Sequence, residues 1–313
     1  MNDRARLMQA FALAARVDAR ATSPNPRVGC VLVKGGRVLG RGAHHGYGKP
    51  HAEPTALARA RSAKGATAFV TMEPCFPYPG KRNPSCAETL VKAGVRRVVC
   101  GSLDPNPKVR GRGVAYLRRR GVAVTVLPVP EAEALNRGFF SRMSRGRPWV
   151  ILKTALSLDG KAAAENGRSR WVTGPAARRL VHAWRAECDA VLVGAGTLRA
   201  DDPALTAHGA GKDPVRVILA GRKPLPKRAK AYPALVYRSI KPMLSDLSKR
   251  GIGTLFVEGG PKVHASFLKA GLVDEARVFI APKLLAGSKD PNAGKLSLTL
   301  KKVGDDFLFS GTL

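Results

Sequence analysis

The chain has 313 residues, 44% of them hydrophobic and 24% charged, which leaves room for two ordinary domains and excludes intrinsic disorder. The formal net charge is +32, yet residues 1–146 hold 26 Lys and Arg against 8 Asp and Glu, and residues 147–313 hold 28 against 14. An excess spread over both halves, with only 6% aromatics, speaks against a dedicated nucleic-acid surface and for a general attraction to small anions, with salt-dependent RNA binding as a side effect.

Residues Met1–Arg20 mix Asp3, Arg4 and Arg6 with scattered alanines and have no continuous apolar h-region, so they read as a first helix over Leu7–Arg20. The expected location is cytoplasmic, with no membrane partner, since no apolar run approaches the ~20 residues of a span. Five cysteines (30, 75, 86, 100 and 188) fit reduced thiols better than a disulfide framework. Val28–Val33 and Val38–Gly40 flank Lys34-Gly35-Gly36-Arg37 and read as a hairpin. A Gly- and His-rich loop, in which His44 and His45 are expected to be solvated, leads to a helix opening at Glu53-Pro54. A strand at Ala66–Met72, a helix at Ser85–Ala93, a strand at Arg97–Gly101, a helix at Gly111–Arg120 and a strand at Val122–Leu127 follow. Ser141–Pro148 is polar with no periodic apolar face, and it places a domain boundary between 146 and 147. Beyond it, Val150–Leu152, Ala190–Val193, Val215–Leu219 and Thr254–Val257 read as strands, and Pro175–Glu187 and Pro261–Ala270 as helices. Alternating helices and strands predict sheets covered by helices in both domains.

His51-Ala52-Glu53, Pro74-Cys75 and Cys86 carry the first chemistry. One His and two Cys make three zinc ligands and leave the fourth tetrahedral position for water, as a catalytic zinc requires. Glu53, two residues beyond His51, is placed to move protons without ligating the metal. Taken singly a cysteine is usually a small core residue, which is the reading for Cys30, Cys100 and Cys188.

This half resembles the cytidine-deaminase-like superfamily. Within it, Thr22, Pro24-Asn25-Pro26, His51-Ala52-Glu53, Glu73-Pro74-Cys75 and Asp104–Gly113 are similar to the bifunctional diaminohydroxyphosphoribosylaminopyrimidine deaminase / 5-amino-6-(5-phosphoribosylamino)uracil reductase family of riboflavin biosynthesis. The resemblance implies that Asn25 helps hold the pyrimidine and that the loop from Asp104 borders it. It also implies an α/β fold, with an N-terminal α/β/α deaminase domain (1–146) and a C-terminal dihydrofolate-reductase-like domain (147–313). The segment after Cys75 departs from the family in length and holds Lys81 and Arg82, either phosphate ligands or ordinary surface charges.

The second half has two glycine clusters after strands, Val193-Gly194-Ala195-Gly196-Thr197 and Val257-Glu258-Gly259-Gly260-Pro261, each of which alone is only a tight turn. Lys153, Ser157–Lys161, Trp171–Gly174, Arg185, Asp201-Asp202-Pro203 and Glu258-Gly259-Gly260 extend the resemblance to the reductase half of the same family. It implies that Trp171, Thr197, Asp201 and Gly260 line an NADPH site, and that Ser169, Arg185, Leu205, His208 and Glu258 meet the substrate. His208 stands where the family usually carries Arg, a weaker grip on phosphate. The implied partner is a phosphorylated pyrimidine, the cofactors are zinc and NADPH, and a homo-oligomer is expected with no specific nucleic acid. The alternatives are a single-activity member with a degenerate reductase, a tRNA adenosine deaminase, and a protein holding zinc only for folding. The long Cys75–Cys86 gap opposes the second, and three ligands in place of four oppose the third.

Overall fold

Alternation governs the first sheet. In β1 (Gly29–Lys34), Cys30 and Leu32 pack with Ala52, Ala56, Val70 and Leu90, while Val31 and Val33 face the other way onto Ala10, Phe69 and Val99. A strand buried on both faces sits inside a three-layer unit, and each such side chain contributes about 1.5–3 kcal/mol of burial. The computed structural model describes residues 2–76, 85–163, 172–221, 224–285, 297–303 and 306–312. The chain divides into one unit of Met1–Trp149 with Lys241–Thr254 and another of Val150–Ile240 with Leu255–Leu313.

In the first unit the order is α1 (Asp3–Ala15), α2 (Ala19–Thr22), β1, β2 (Arg37–Ala43), α3 (Ala52–Leu57), β3 (Thr67–Val70) and α4 (Cys86–Lys92). Then come β4 (Arg97–Cys100), α5 (Arg112–Arg119), β5 (Ala123–Val126), α6 (Pro130–Leu135) and α7 (Arg137–Arg145). The sheet order is β2-β1-β3-β4-β5, antiparallel at β1/β2 and β1/β3 and parallel from β3 to β5. Cys30 and Cys100 are core residues, and burial pushes the Cys100 thiol up to about 12.

The stretch from Ser141, polar and without a periodic apolar face in sequence, is helical as far as Arg145. It is the second half of α7, a helix that begins at Arg137 and ends on the left-handed Gly146. Phe139 and Met143, four residues apart, share one face, and the buried Ser141 hydroxyl donates to the Arg147 carbonyl at 2.9 Å. A polar side chain satisfied by backbone can be buried without an apolar signature.

The second unit is built on β6 (Trp149–Ser157), α8 (Pro175–Glu187), β7 (Ala190–Gly194), α9 (Ala195–Asp201), β8 (Val215–Leu219) and β9 (Leu235–Tyr237). After α10 (Ile240–Lys249), most of which groups with the first unit, it continues with β10 (Thr254–Val257), α11 (Pro261–Lys269) and β11 (Glu275–Ala281). β12 (Ser297–Val303) and β13 (Asp306–Thr312) pair with each other. The main sheet runs β11-β6-β10-β7-β8-β9, with β11/β6, β10/β7, β7/β8 and β8/β9 parallel. Ligands of open parallel sheets bind beyond the carboxyl ends of the strands, where Gly194 and Glu258 lie. Among the described residues no helix is long and apolar enough to cross a membrane.

Candidate active sites

The three candidate metal ligands come from two helix starts, His51 and Cys86, and from the loop after β3, Cys75. His51 is the extended N-cap of α3, and its carbonyl accepts from the Thr55 hydroxyl at 2.7 Å. α3 reaches the sheet because Gly42 lies beneath it: a Cβ there would stand 2.2 Å from the Ala52 carbonyl oxygen. Cys86 is the first residue of α4, whose N-cap Ser85 accepts from the Glu88 N–H at 3.4 Å and donates its hydroxyl to the Cys75 carbonyl at 2.9 Å. The Cys86 N–H points at the Cys75 sulfur at 3.4 Å, an arrangement that favours thiolate.

His51 Nδ1 lies 3.6 Å from Cys75 Sγ and 3.3 Å from Cys86 Sγ, and all three ligand atoms fall within 4.8 Å of one another. Tetrahedral zinc with ordinary Zn–S and Zn–N bonds sets its ligand atoms about 3.5–3.8 Å apart, so the donor set and spacing fit that ion. Glu53, in the first turn of α3, is only 3% exposed beside this triad. Burial pushes its carboxyl up, the Cys75 charge adds to this, and His51 opposes it.

A cavity of about 330 Å³ opens over the triad, lined by Asn25, His44, Tyr47, Glu53, Asp104 and Asn106 among others. His44 is not solvated as expected. It is 2% exposed, its ring stands 5.1 Å from that of His51, and its Nδ1 lies 3.1 Å from the Pro50 carbonyl. Burial lowers its pKa, and among the described residues its buried Nε2 has no hydrogen-bond partner. His45 is exposed. Glu73 holds the opposite wall: its carboxylate accepts from the N–H groups of Asp104 (3.2 Å), Gly111 (2.9 Å) and Val114 (3.0 Å). Phe139, Arg142 and Met143 of α7 also line the cavity, and Arg142 donates to the Pro24 carbonyl at 2.7 Å. Sequence reading gave none of these α7 residues a role, although the Phe139–Met143 spacing was the available signal. Lys81 and Arg82 lie outside the described residues.

In the second unit the two glycine clusters meet at one helix. A Cβ on Gly194 or on Gly259 would stand 2.6 Å from Val263 of α11, so both strand ends close on that residue. Gly260 opens toward Thr197, whose Oγ1 is 3.6 Å from the position a Cβ would take, and α11 starts with no side chain capping its N–H groups. Glycines beside an uncapped helix start fit the pyrophosphate of a dinucleotide. Asp201 lies one turn beyond Thr197, at the end of α9. Arg185 and Glu258, both expected at the substrate, bond to each other: Nε to Oε1 at 2.6 Å and Nη2 to Oε2 at 3.0 Å, with Nη1 on the Thr206 carbonyl at 3.0 Å. Lys153 lies near this pair, and burial lowers its pKa. Leu205 is buried with φ 56°, and His208 is exposed with φ 49°. Ser169 and Trp171 lie outside the described residues.

Residues 148–304 match the RibD C-terminal domain, and residues 1–102 match the cytidine and deoxycytidylate deaminase zinc-binding region. The riboflavin biosynthesis protein RibD of Haemophilus influenzae is 39% identical, across 93% of this chain and 92% of its own. Acinetobacter baumannii RibD aligns with a TM-score of 0.84 at 38% identity, covering 98% of this chain and 97% of that one. A Thermotoga maritima structure, a diaminohydroxyphosphoribosylaminopyrimidine deaminase/5-amino-6-(5-phosphoribosylamino)uracil reductase, aligns at 0.80 with 33% identity and the same coverage.

Proposed function

The chain belongs to the RibD family of bifunctional deaminase–reductases in riboflavin biosynthesis, and on that premise we propose how its residues divide the work. The boundary falls between 146 and 147, with the deaminase before it and the reductase after it. The substrate is the phosphoribosylamino-pyrimidine, deaminated first and then reduced so that its ribosyl becomes a ribityl chain. Specific nucleic acid is not a partner. The chain works in the cytoplasm as a homo-oligomer.

In the deaminase, His51, Cys75 and Cys86 would hold zinc, which when bound would supply a Lewis acid that lowers the pKa of water. Asn25 and the neutral His44 hold the pyrimidine over the triad. Glu53, kept in a dry site, takes the proton of the attacking water and hands it to the departing amine. Its raised pKa suits a group that must take up a proton and then release it. In the reductase, NADPH supplies a hydride. Thr197, Asp201, Gly260 and Trp171 hold the cofactor, and Ser169, Arg185, Leu205, His208 and Glu258 hold the sugar and its phosphate. The bonded Arg185–Glu258 pair fixes the orientation of both side chains before substrate arrives, which lowers the ordering cost of catalysis.

The observation that carries the reading is a three-donor zinc geometry with a buried carboxylate beside it. The test follows ammonia release and NADPH absorbance separately on the diaminopyrimidine ribotide. Glu53→Ala is expected to cut ammonia release by about 10²–10⁴-fold while NADPH oxidation on pre-deaminated substrate persists. Ammonia without NADPH oxidation would favour the degenerate-reductase alternative, and neither signal from zinc-loaded protein would sink the assignment.

A further inference from the structure

A phosphorylated substrate needs positive charge in the reductase unit, and Arg185, proposed above to meet it, already shares its charge with Glu258. Arg185 is bound in a bidentate pair to Glu258, both side chains about nine-tenths buried, so the pair is neutral as a whole. Lys153, half-buried, lies near the same pair. Arg178, His182 and Arg185 occupy positions i, i+4 and i+7 of α8 and so share one face of that helix. On that face His182 stacks on His208, ring centroids 4.2 Å apart and planes 23° from parallel. His208 arrives from a loop in which Asp202, Leu205 and His208 all have left-handed backbone (φ 38°, 56° and 49°). That loop is tied down by the Ala207 N–H donating to Asp213 at 2.8 Å. Non-glycine residues in that region cost on the order of 1–3 kcal/mol each and persist where the surroundings hold a functional geometry.

Resting on the reductase reading above, we infer that His182 and His208 form a proton-linked grip for the substrate's phosphate, so that reductase affinity falls as pH rises. The charged groups facing His182 are Arg178 and Arg185 on its own helix, His208 from the loop and Glu258 from the end of β10. Three of the four are bases. Burial first, and then this like charge, lower the His182 pKa, which leaves the ring neutral at neutral pH without a ligand. A phosphate dianion beside the stack reverses the sign of the local field and favours imidazolium. Binding therefore takes up a proton from solvent, and each proton taken up weakens binding by about tenfold per pH unit between the unliganded and the liganded pKa. The phosphate itself stays largely dianionic above about pH 6, so its own titration does not produce an alkaline loss. An Arg at 208 would carry its charge at any working pH and would remove the linkage.

The experiment measures KM and kcat for NADPH oxidation on pre-deaminated substrate from pH 6.5 to 8.5, with the full chain. Wild type is expected to lose about tenfold or more in KM over that range with kcat nearly constant. His208→Arg should flatten the profile to within about twofold, and His182→Asn should reduce its slope. A flat wild-type profile, or a slope kept in both variants, overturns the inference. A second readout needs no turnover: histidine ring resonances are titrated by NMR with and without ribose 5-phosphate. The sugar phosphate is expected to raise the pKa of the one ring signal that His182→Asn removes, and an unchanged titration of that signal overturns the grip. Absence of NADPH oxidation at every pH would fault the reductase reading instead, and the NMR titration would still decide the grip.

Discussion

Asp104 is 8% exposed in the wall of the deaminase cavity. Burial raises its carboxyl to about 7, against the opposing N–H of Asn106 and with added repulsion from Glu73. The folded protein therefore binds a proton here that the unfolded chain releases near 4, and stability contributed at this site is lost as pH rises from about 4 to 7. Asp104→Asn should gain on wild type across that window by on the order of 2–4 kcal/mol, read as the difference between their unfolding free energies at pH 4.5 and 7.5. Parallel curves for the two proteins would rule out a raised pKa. Some residues of this site were legible in sequence because their chemistry is local: His51 and Glu53 stand two apart, and Ser85 caps the helix that Cys86 opens. His44 was not, because its burial depends on the Pro50 carbonyl and the His51 ring meeting it in space. Arg185 reads as a lone cation until the fold brings Glu258, 73 residues on, into its fork.

The short helix α3 is capped by His51, the proposed zinc ligand, and carries Glu53, the proposed proton carrier, and it has only six residues with which to hold its place. Its contact with β2 does much of that. Gly42→Ala would set a Cβ 2.2 Å from the Ala52 oxygen and 2.4 Å from the Ala56 nitrogen, both backbone, so the helix must move. The variant should lose about 1–3 kcal/mol of stability and bind zinc about 10–100-fold more weakly, measured by competition with a chromophoric chelator. Unchanged zinc affinity would mean that α3 is positioned by something else. Legibility at this scale followed punctuation. α8 runs from Pro175 to Glu187 as its spacing and its N-terminal proline predict, and α11 likewise starts on Pro261. α9 went unread because Gly194 and Gly196 make its start look like a turn, and α10 because Pro242 interrupts the Ile240, Met243, Leu244, Leu247 pattern. The edge strand β11 was missed as well, since Glu275 and Arg277 pair with each other along one face and dilute its apolar character.

Over the whole molecule, two units with separate cores carry separate chemistries. Chelating zinc should abolish ammonia release and lower the unfolding temperature of the first unit, while NADPH oxidation on deaminated substrate continues. Calorimetry and the absorbance assay together check this, and loss of both activities on chelation would mean that the reductase also depends on the metal. The family's architecture was readable because both halves keep their signatures across nearly the full chain, and the +32 charge distinguished neither half. The left-handed residues at 202, 205 and 208 carry a further consequence for how such a chain can change over generations. Glycine or asparagine at 208 would relax the backbone and make a sturdier protein, so pressure for heat resistance alone drives this loop toward residues that hold phosphate poorly. If His208 meets the substrate as proposed, a variant stabilised by relaxing this loop trades ligand capture for robustness.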